Sequence, residues 1–390
     1  MANPDPRTLR RIDRWVGAPL YLLAGLMLRL TAPLRRPRAA APGGRVPRVL
    51  YVALAEMGSI VLAAPAIRAA SRIHGTTPVF VTFERTRPVF DFLGGEFARE
   101  VHVLRTAGVM AFCADLWRFA RRMRRDGVAL AVDLDPGARG SALVALISGA
   151  PLRAGFSGGA SPRRGALFTH AIPCAGERHM SANFADLAHA AFAPSGSSVV
   201  AMPPPAGERL AHHDCRVLIH ANVSDPVPQR RWPRQRYVDV CRRLLAEVPD
   251  IHILFVGAAA EEAAAAGLCA EIGDARCASV AGAYAVPELA ALFASATLLL
   301  GSDSGPAHFA AHAGLPVVAL FGPETPQRYA PPGATTLYAG LPCSPCLSAH
   351  NQRASSCRDA RCMQAISVDA VLAAVRSHLP AARRERSARA

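Results

Sequence analysis

Short apolar runs alternate along the chain with longer stretches in which apolar positions recur at helical spacing. "RVLYVAL" (48–54), "PVFVTF" and "VALAVDLD" (128–135) have the length and continuity of buried strands. Between them "SIVLAAPAIRAASRI" (59–73), a helix-like stretch after "PVFVTF", and "RGSALVALISG" have the period of helices. A Pro-, Gly- and Ser-rich interruption follows, with little periodicity. The alternation then restarts: "RVLIHA" (216–221), a helix near 234–247, "IHILFVG" (251–257), a helix rich in Ala and Glu, "ASVAG", the helix "VPELAALFASA", "TLLLGSD", a helix at 306–313, "PVVALFG" (316–322) and a last helix at 367–378. Strand–helix–strand repetition of this kind predicts parallel sheets covered on both faces, an α/β fold. Two such halves joined by a linker predict two Rossmann-like doubly wound domains facing a cleft, with ligands at the carboxyl ends of their strands.

The 390 residues suffice for two domains, and 51% hydrophobic content for two cores. Charge is concentrated at the ends. Residues 1–48 carry ten Arg against Asp5 and Asp13, and the last ten residues carry four Arg and one Glu, so 8 + 3 = 11 of the formal +15 lies there. The middle is only mildly basic, which excludes a nucleic-acid protein with a basic binding face and predicts termini that touch an anionic surface. Every basic residue is Arg, so Arg must grip any phosphate and no Lys is present for Schiff-base chemistry. Near the start, "WVGAPLYLLAGLML" (Trp15 to Leu28) is apolar and flanked by Arg, shorter than the ~20 residues of a spanning helix. It reads as a helix lying in a membrane interface, in preference to a signal peptide or a soluble packing helix. The predicted organisation is a basic arm with that interface helix over 1–45, a first Rossmann-like domain over 46–195, a linker over 196–214, a second Rossmann-like domain with the late Cys cluster over 215–366, and a helix with a basic tail over 367–390.

Four loops carry candidate chemistry. After "TLLL", the stretch "GSDSGPAH" (301–308) ends a buried strand with an acid, two hydroxyls, two glycines and a proline, then opens a helix. Asp303 suits sugar hydroxyls. Ser304, Gly305, Pro306 and Ala307 sit where free N–H groups and the helix dipole favour a phosphate, with His308 a turn further on. In "HANVSDPVPQRRWP" (220–233), Asn222 and Ser224 offer amide and hydroxyl groups, and Arg230 and Arg231 precede a helix start, where a guanidinium can bind a diphosphate in a fork. One of the two arginines is expected to be merely exposed. In "VGAAAEEAAAA", Glu261 and Glu262 fall in a first helical turn, where the dipole alone accounts for acids, although one of them can also bind ribose hydroxyls. In "ALAEMGSIVLAAPA" (53–66), Glu56 ends a strand and can act as a general base, Gly58 permits a close turn and Ser59 can cap the helix.

Ten Cys without a secreted scaffold's density indicate a reducing compartment. Cys113, Cys174, Cys215, Cys241, Cys269 and Cys277 read as buried small hydrophobes. Cys343, Cys346, Cys357 and Cys362 form a C-x2-C-x10-C-x4-C cluster that can hold a structural zinc tetrahedrally, set against reduced or locally disulfide-bonded thiols.

"LAEMGSIVLAAPAIRA", "PQRRWP", "GSDSGPAHFAAHAGLPVVALFGPETPQRY" and "CSPC…C…CMQAISVDAV" together resemble glycosyltransferase family 9, the ADP-heptose:lipopolysaccharide heptosyltransferase family, over about residues 46–378. The "SDSGPAH…G.PVVALFGP" block is the specific part. The resemblance implies a GT-B fold in which the first domain is the acceptor domain and the second the nucleotide-sugar domain, a nucleotide sugar bound mainly by that second domain, and inverting transfer to a membrane-held acceptor without an essential metal. It implies that Asp303 contacts the donor sugar, that the backbone from Ser304 to Ala307 contacts the diphosphate, that Arg230 is the basic phosphate ligand before the Trp, and that Ser224 lies near a hydroxyl-bearing phosphate loop. One position departs: the family has Gly-Asp after the first strand, the Asp being its base, and here the pair is Gly58-Ser59. Either Glu56 takes over, or the donor or acceptor differs, or catalysis is weak; Glu56 is favoured.

The sequence thus reads as an inverting glycosyltransferase, cytoplasmic and peripheral on the inner membrane. It would move heptose or a related sugar from a nucleotide-diphosphate donor to a lipopolysaccharide-core or other lipid-linked glycan, with no required cofactor and no nucleic-acid partner. A non-catalytic nucleotide-sugar-binding protein of the same fold is the alternative, and a sugar epimerase on that fold ranks below it.

Overall fold

The computed structural model describes residues 47–380 apart from residue 55 and residues 159–161, 190–191, 193–214, 222–226 and 348–354. The arm with its apolar helix, the linker, the last ten residues, and Asn222 and Ser224 therefore lie outside the described residues. What is described falls into two compact units, dividing between 192 and 215.

In the first unit the order is β1 (Arg48–Val52), α1 (Met57–Ile73), β2 (Thr77–Phe83), α2 (Pro88–Leu93), β3 (Val101–Leu104), α3 (Val109–Asp126), β4 (Leu130–Asp133), α4 (Arg139–Ile147), β5 (Leu152–Ser157), β6 (His170–Pro173) and α5 (Met180–His189). The six strands form one parallel sheet in the order β3-β2-β1-β4-β5-β6. The second unit runs β7 (Cys215–His220), α6 (Arg234–Glu247), β8 (Ile251–Phe255), α7 (Glu262–Ile272), β9 (Cys277–Ser279), α8 (Leu289–Ala294), β10 (Leu298–Ser302), α9 (Gly305–His312), β11 (Val317–Phe321), α10 (Pro326–Tyr329), β12 (Thr335–Tyr338), α11 (Arg361–Gln364) and α12 (Val368–His378). Its sheet is again parallel and six-stranded, β12-β11-β10-β7-β8-β9.

The central strands β1, β4, β7, β10 and β11 are buried on both faces, which is why they read as continuous apolar runs. Strand order reverses between β1 and β4 in the first sheet and between β7 and β10 in the second. There consecutive crossovers leave in opposite directions and open a crevice beyond the carboxyl ends.

The predicted elements agree with those observed except at details that matter for the site. α1 begins at Met57, two residues before the expected start, with Glu56 as its N-cap residue. Gly58 and Ser59 are thus already helical, so Gly58 makes no turn and Ser59 is not the cap. Of the cysteines expected inside, Cys215, Cys241 and Cys277 are buried and Cys174 and Cys269 half-buried, but Cys113 is exposed, on the outer face of α3. Among the described residues no helix is long and apolar enough to cross a membrane.

Candidate active site

At the switch point of the first sheet the chain leaves β1 under restraint. The Thr82 hydroxyl donates to the Ala53 carbonyl at 2.7 Å and the Thr86 hydroxyl to the Leu54 carbonyl at 3.1 Å. The Leu54 amide donates to Asp135 Oδ2 at 3.1 Å. These bonds tie the exit of β1 to β2 on one side and β4 on the other, and Glu56 follows at once. Its backbone is extended (φ −129°, ψ 109°), the side chain is half-buried, and Ser59 Oγ donates to Glu56 Oε2 at 3.1 Å. Ser59 is therefore a hydrogen-bond donor that orients the carboxylate, since a serine hydroxyl has no basicity of its own to offer.

Three further groups gather here that the sequence reading did not single out. Asp133 at the end of β4 is fully buried; it accepts from the Ser141 hydroxyl at 2.9 Å and from the Asp135 amide at 3.1 Å. Asp135 is buried beside it. Arg85, half-buried after β2, has its pKa lowered by desolvation, while the carboxylates of Glu56 and Asp135 pull it upward. Arg85 Nε is buried with no hydrogen-bond partner among the described residues. "VDLD" reads as a strand end in sequence; only the adjacency of β4 to β1 turns its two aspartates toward the neighbourhood of Glu56.

The switch point of the second sheet has different chemistry. β10 ends in Ser302, and Asp303 and Ser304 follow at its carboxyl end. Ser304 is the N-cap residue of α9, in extended conformation, with Gly305 and Pro306 in the first turn. Its hydroxyl does not cap the helix: Ser304 Oγ pairs with His220 Nδ1 at 3.1 Å, leaving the first amides of α9 without a side-chain cap. His220, buried at the end of β7, faces Glu261 on its other side, Nε2 to Oε2 being 3.7 Å. Glu261 is buried too, in a single 3₁₀ turn before α7, and its Oε2 accepts from the Ala258 amide at 2.6 Å. It is therefore no solvated first-turn acid of the kind the dipole explains. The adjoining Gly257 is required for space, because a Cβ there would stand 2.6 Å from Glu261 Oε2. Gly301 has the same reason, a Cβ meeting the His220 carbonyl oxygen at 3.0 Å, so β10 and β7 approach closely where the site is built. His308 is buried within α9.

Arg230 completes this site. It lies in a 3₁₀ turn (Pro228–Arg230), Nη2 3.2 Å from Asp303 Oδ2 and Nη1 donating to the Asp303 carbonyl at 3.2 Å. Its Nε is buried and has no hydrogen-bond partner among the described residues. Arg231 is the exposed member of the pair. The loop is held by Trp232, 2% exposed, whose indole N–H donates to the Ile366 carbonyl at 3.0 Å and whose ring packs edge-on against Tyr237. The second site thus offers a guanidinium, a hydroxyl, helix amides and a buried imidazole, a set suited to anions. The first offers carboxylates with one guanidinium, a set suited to taking a proton.

The four late cysteines are free thiols. Burial raises the Cys362 pKa, a backbone hydrogen bond at Met363 lowers it, and the charges of Cys346, Cys357 and Cys343 raise it further, so those three lie within electrostatic reach of Cys362. No three His, Cys, Asp or Glu among the described residues are disposed to hold a metal ion.

The fold agrees with solved structures of E. coli ADP-heptose lipopolysaccharide heptosyltransferase II (18% identity, TM-score 0.64, 85% of this chain and 98% of that one) and of E. coli heptosyltransferase WaaC with ADP (18%, 0.63, 85% and 100%). Both share the two-domain GT-B architecture anticipated above. In sequence, lipopolysaccharide heptosyltransferase 2 of Escherichia coli (strain K12) is 30% identical over 108 residues, 27% of this chain and 30% of the relative, so the match spans under a third of that protein's length. The model of glycosyltransferase family 9 (heptosyltransferase) matches residues 116–355. That segment takes in β4, the Arg230 loop, Glu261 and the β10–α9 turn, and by it the chain belongs to glycosyltransferase family 9.

Proposed function

We propose that the protein transfers heptose or a related sugar, with inversion, from a nucleotide-diphosphate donor to a lipopolysaccharide-core or other lipid-linked glycan at the cytoplasmic face of the inner membrane. The observation that carries this reading is the β10–α9 turn: uncapped helix amides, with Asp303 clasped by Arg230 and the Ser304 hydroxyl fixed by His220. Solved heptosyltransferases of this fold hold ADP and an ADP-sugar analogue, which supports a nucleoside diphosphate as the anion.

In this mechanism the acceptor hydroxyl attacks the anomeric carbon and the bond from that carbon to the diphosphate oxygen breaks. The acceptor's proton passes to the Glu56 carboxylate, held ready by Ser59. Nucleoside diphosphate leaves with the bonding electron pair. Its growing charge is met by the amides of Gly305 and Ala307, the helix dipole and Arg230, whose Nε keeps a donor to spare. Asp303 accepts from donor-sugar hydroxyls, while Glu261 serves the ribose; Asn222 and Ser224 are assigned to the diphosphate by position. The reading requires no metal; zinc or iron assayed in untagged protein tests whether the four thiols carry a structural one.

A panel of nucleoside diphosphates and their sugars in a thermal-shift assay, followed by transfer to heptose-deficient lipopolysaccharide, tests the proposal. A raised melting temperature with one nucleoside diphosphate and its release on adding acceptor are expected; a panel without any shift refutes it. Ser59, standing where the family has Asp, favours one other reading, a binding protein without turnover, which predicts the shift and no release.

A further inference from the structure

The helix α3 carries a face that no other element among the described residues covers. Its inner side, with Phe119 and Met123 buried, packs on the first sheet. Along the outer side, at i, i+4 spacing, run Val109, Cys113, Trp117, Arg121 and Arg125, all exposed. Val109 is 79% exposed, its neighbour Met110 87% and Trp117 62%. The helix changes character along its length: residues 109–114 are apolar, and residues 118–126 hold five arginines, 118, 121, 122, 124 and 125; against Asp115 and Asp126 the helix has a net of 5 − 2 = +3. Asp115 bonds Arg118 and Arg105, and Asp126 bonds Arg122 and Arg48, leaving Arg121 and Arg125 directed outward. The Arg121 guanidinium lies over the Trp117 ring, 5.5 Å from its centre, so cation and aromatic ring face the same side.

We infer that this face of α3 docks the protein on an anionic lipid bilayer, with Val109, Met110 and Trp117 entering the boundary of the acyl chains and Arg121 and Arg125 meeting lipid phosphates. An exposed cluster of large apolar side chains marks an interaction surface. Tryptophan, amphipathic and bulky, favours the headgroup level, and arginines beside it select a negative surface. Charge complementarity decides the occupant. The chain's own N-terminal arm is a poor one, since residues 1–46 carry nine Arg and two Asp. Arg48, the first residue of β1, is bonded to Asp126 at the last residue of α3. A negative surface is the partner that suits this basic and apolar face.

The inference does not depend on the transfer reaction, and its test contains no donor or acceptor. Full-length protein is sedimented with phosphatidylcholine vesicles and with vesicles also containing phosphatidylglycerol. Preferential binding to the anionic vesicles, weakened by salt, is expected, and the double variant Met110→Glu/Trp117→Glu should bind them about tenfold more weakly. Both positions are exposed, so the fold is retained, which an unchanged circular dichroism spectrum checks. In Trp15→Phe protein, brominated lipid should quench Trp117, the remaining Trp232 being buried. Unaltered binding by the double variant, or no quenching, assigns attachment to the arm alone and overturns the inference. Equal binding to neutral vesicles removes its electrostatic part and overturns it as well. A loss of dimer mass in the double variant without vesicles names a second copy as the occupant, with the same consequence.

Discussion

The two units share one strand order, since β9-β8-β7-β10-β11-β12 repeats β3-β2-β1-β4-β5-β6 position for position. Yet their equivalent switch points balance charge differently. Glu56, Asp133 and Asp135 crowd the first around Arg85, whereas in the second Asp303 and Glu261 are met by Arg230, His220, Ser304 and the α9 amides. The comparison teaches that the sheet supplies only a location, where strand ends diverge and backbone groups are free. Which charge that location accepts is settled by a few loop residues.

The largest expected effect falls on the acidic side. Glu56→Gln should reduce transfer by about a hundred- to ten-thousand-fold, the usual worth of a general base, with nucleoside diphosphate affinity unchanged in titration calorimetry. Full activity in that variant would move the base elsewhere, with Asp135 the next candidate. On the basic side, Arg230→Ala removes charge-assisted bonds worth about 1.5–3 kcal/mol. Nucleoside diphosphate should then bind about ten- to a hundredfold more weakly; unchanged affinity would deny the second switch point its anion. Gly257→Ala tests packing more than charge: with a Cβ 2.6 Å from Glu261 Oε2, the carboxylate must give up its bond to the Ala258 amide. A loss of about 1–2 kcal/mol in denaturant titrations is expected.

The smallest effect lies away from both sites, at Asp115. Arg105 beside it, aided by the Arg105 amide and Arg118, holds its carboxyl below the usual range against a raising effect of burial. A depressed carboxyl stabilises the fold above its unfolded pKa of about 4, and that contribution fades as pH falls through the folded value. Asp115→Asn should cost about 1 kcal/mol near neutrality, little because Arg105 and Arg118 are 50% and 60% exposed. The gap between the variants should close below about pH 4 in acid unfolding curves. A constant gap down to acid would show that the ion pairs contribute nothing.

Much of this architecture was legible in the residue pattern, because doubly covered strands such as "VLYV" and "LLLGS" announce themselves by continuous apolarity. The α9 start was legible as well, since Gly-Pro after a strand leaves the backbone little alternative. β6 and β12, with no buried positions, carry no such signal. At the site, local chemistry was enough to single out Asp303, Ser304, Arg230 and Glu56 as residues at the two switch points. What depended on strand adjacency was not singled out. His220 ends its strand as one polar residue after an apolar run, and nothing local says that β10 will bring Ser304 against it. Asp133 and Asp135 became neighbours of Glu56 only through β1–β4 pairing, and Arg85 only through β1–β2 pairing. The role of Ser59 was misjudged by two residues of helix: once α1 starts at Met57, the hydroxyl points back to Glu56 rather than to the helix amides.

The bond from Trp232 to the Ile366 carbonyl makes the chain's final segment a brace for the arginine that faces Asp303. A stop just before residue 366 would leave Glu56, Asp303, Ser304 and Arg230 in the chain, yet it would unmoor Arg230 and strip Val371, Leu372 and Val375 from the second core. A lesion at the end of the gene should therefore lower the stability of the second unit and disturb the Arg230–Asp303 pair together.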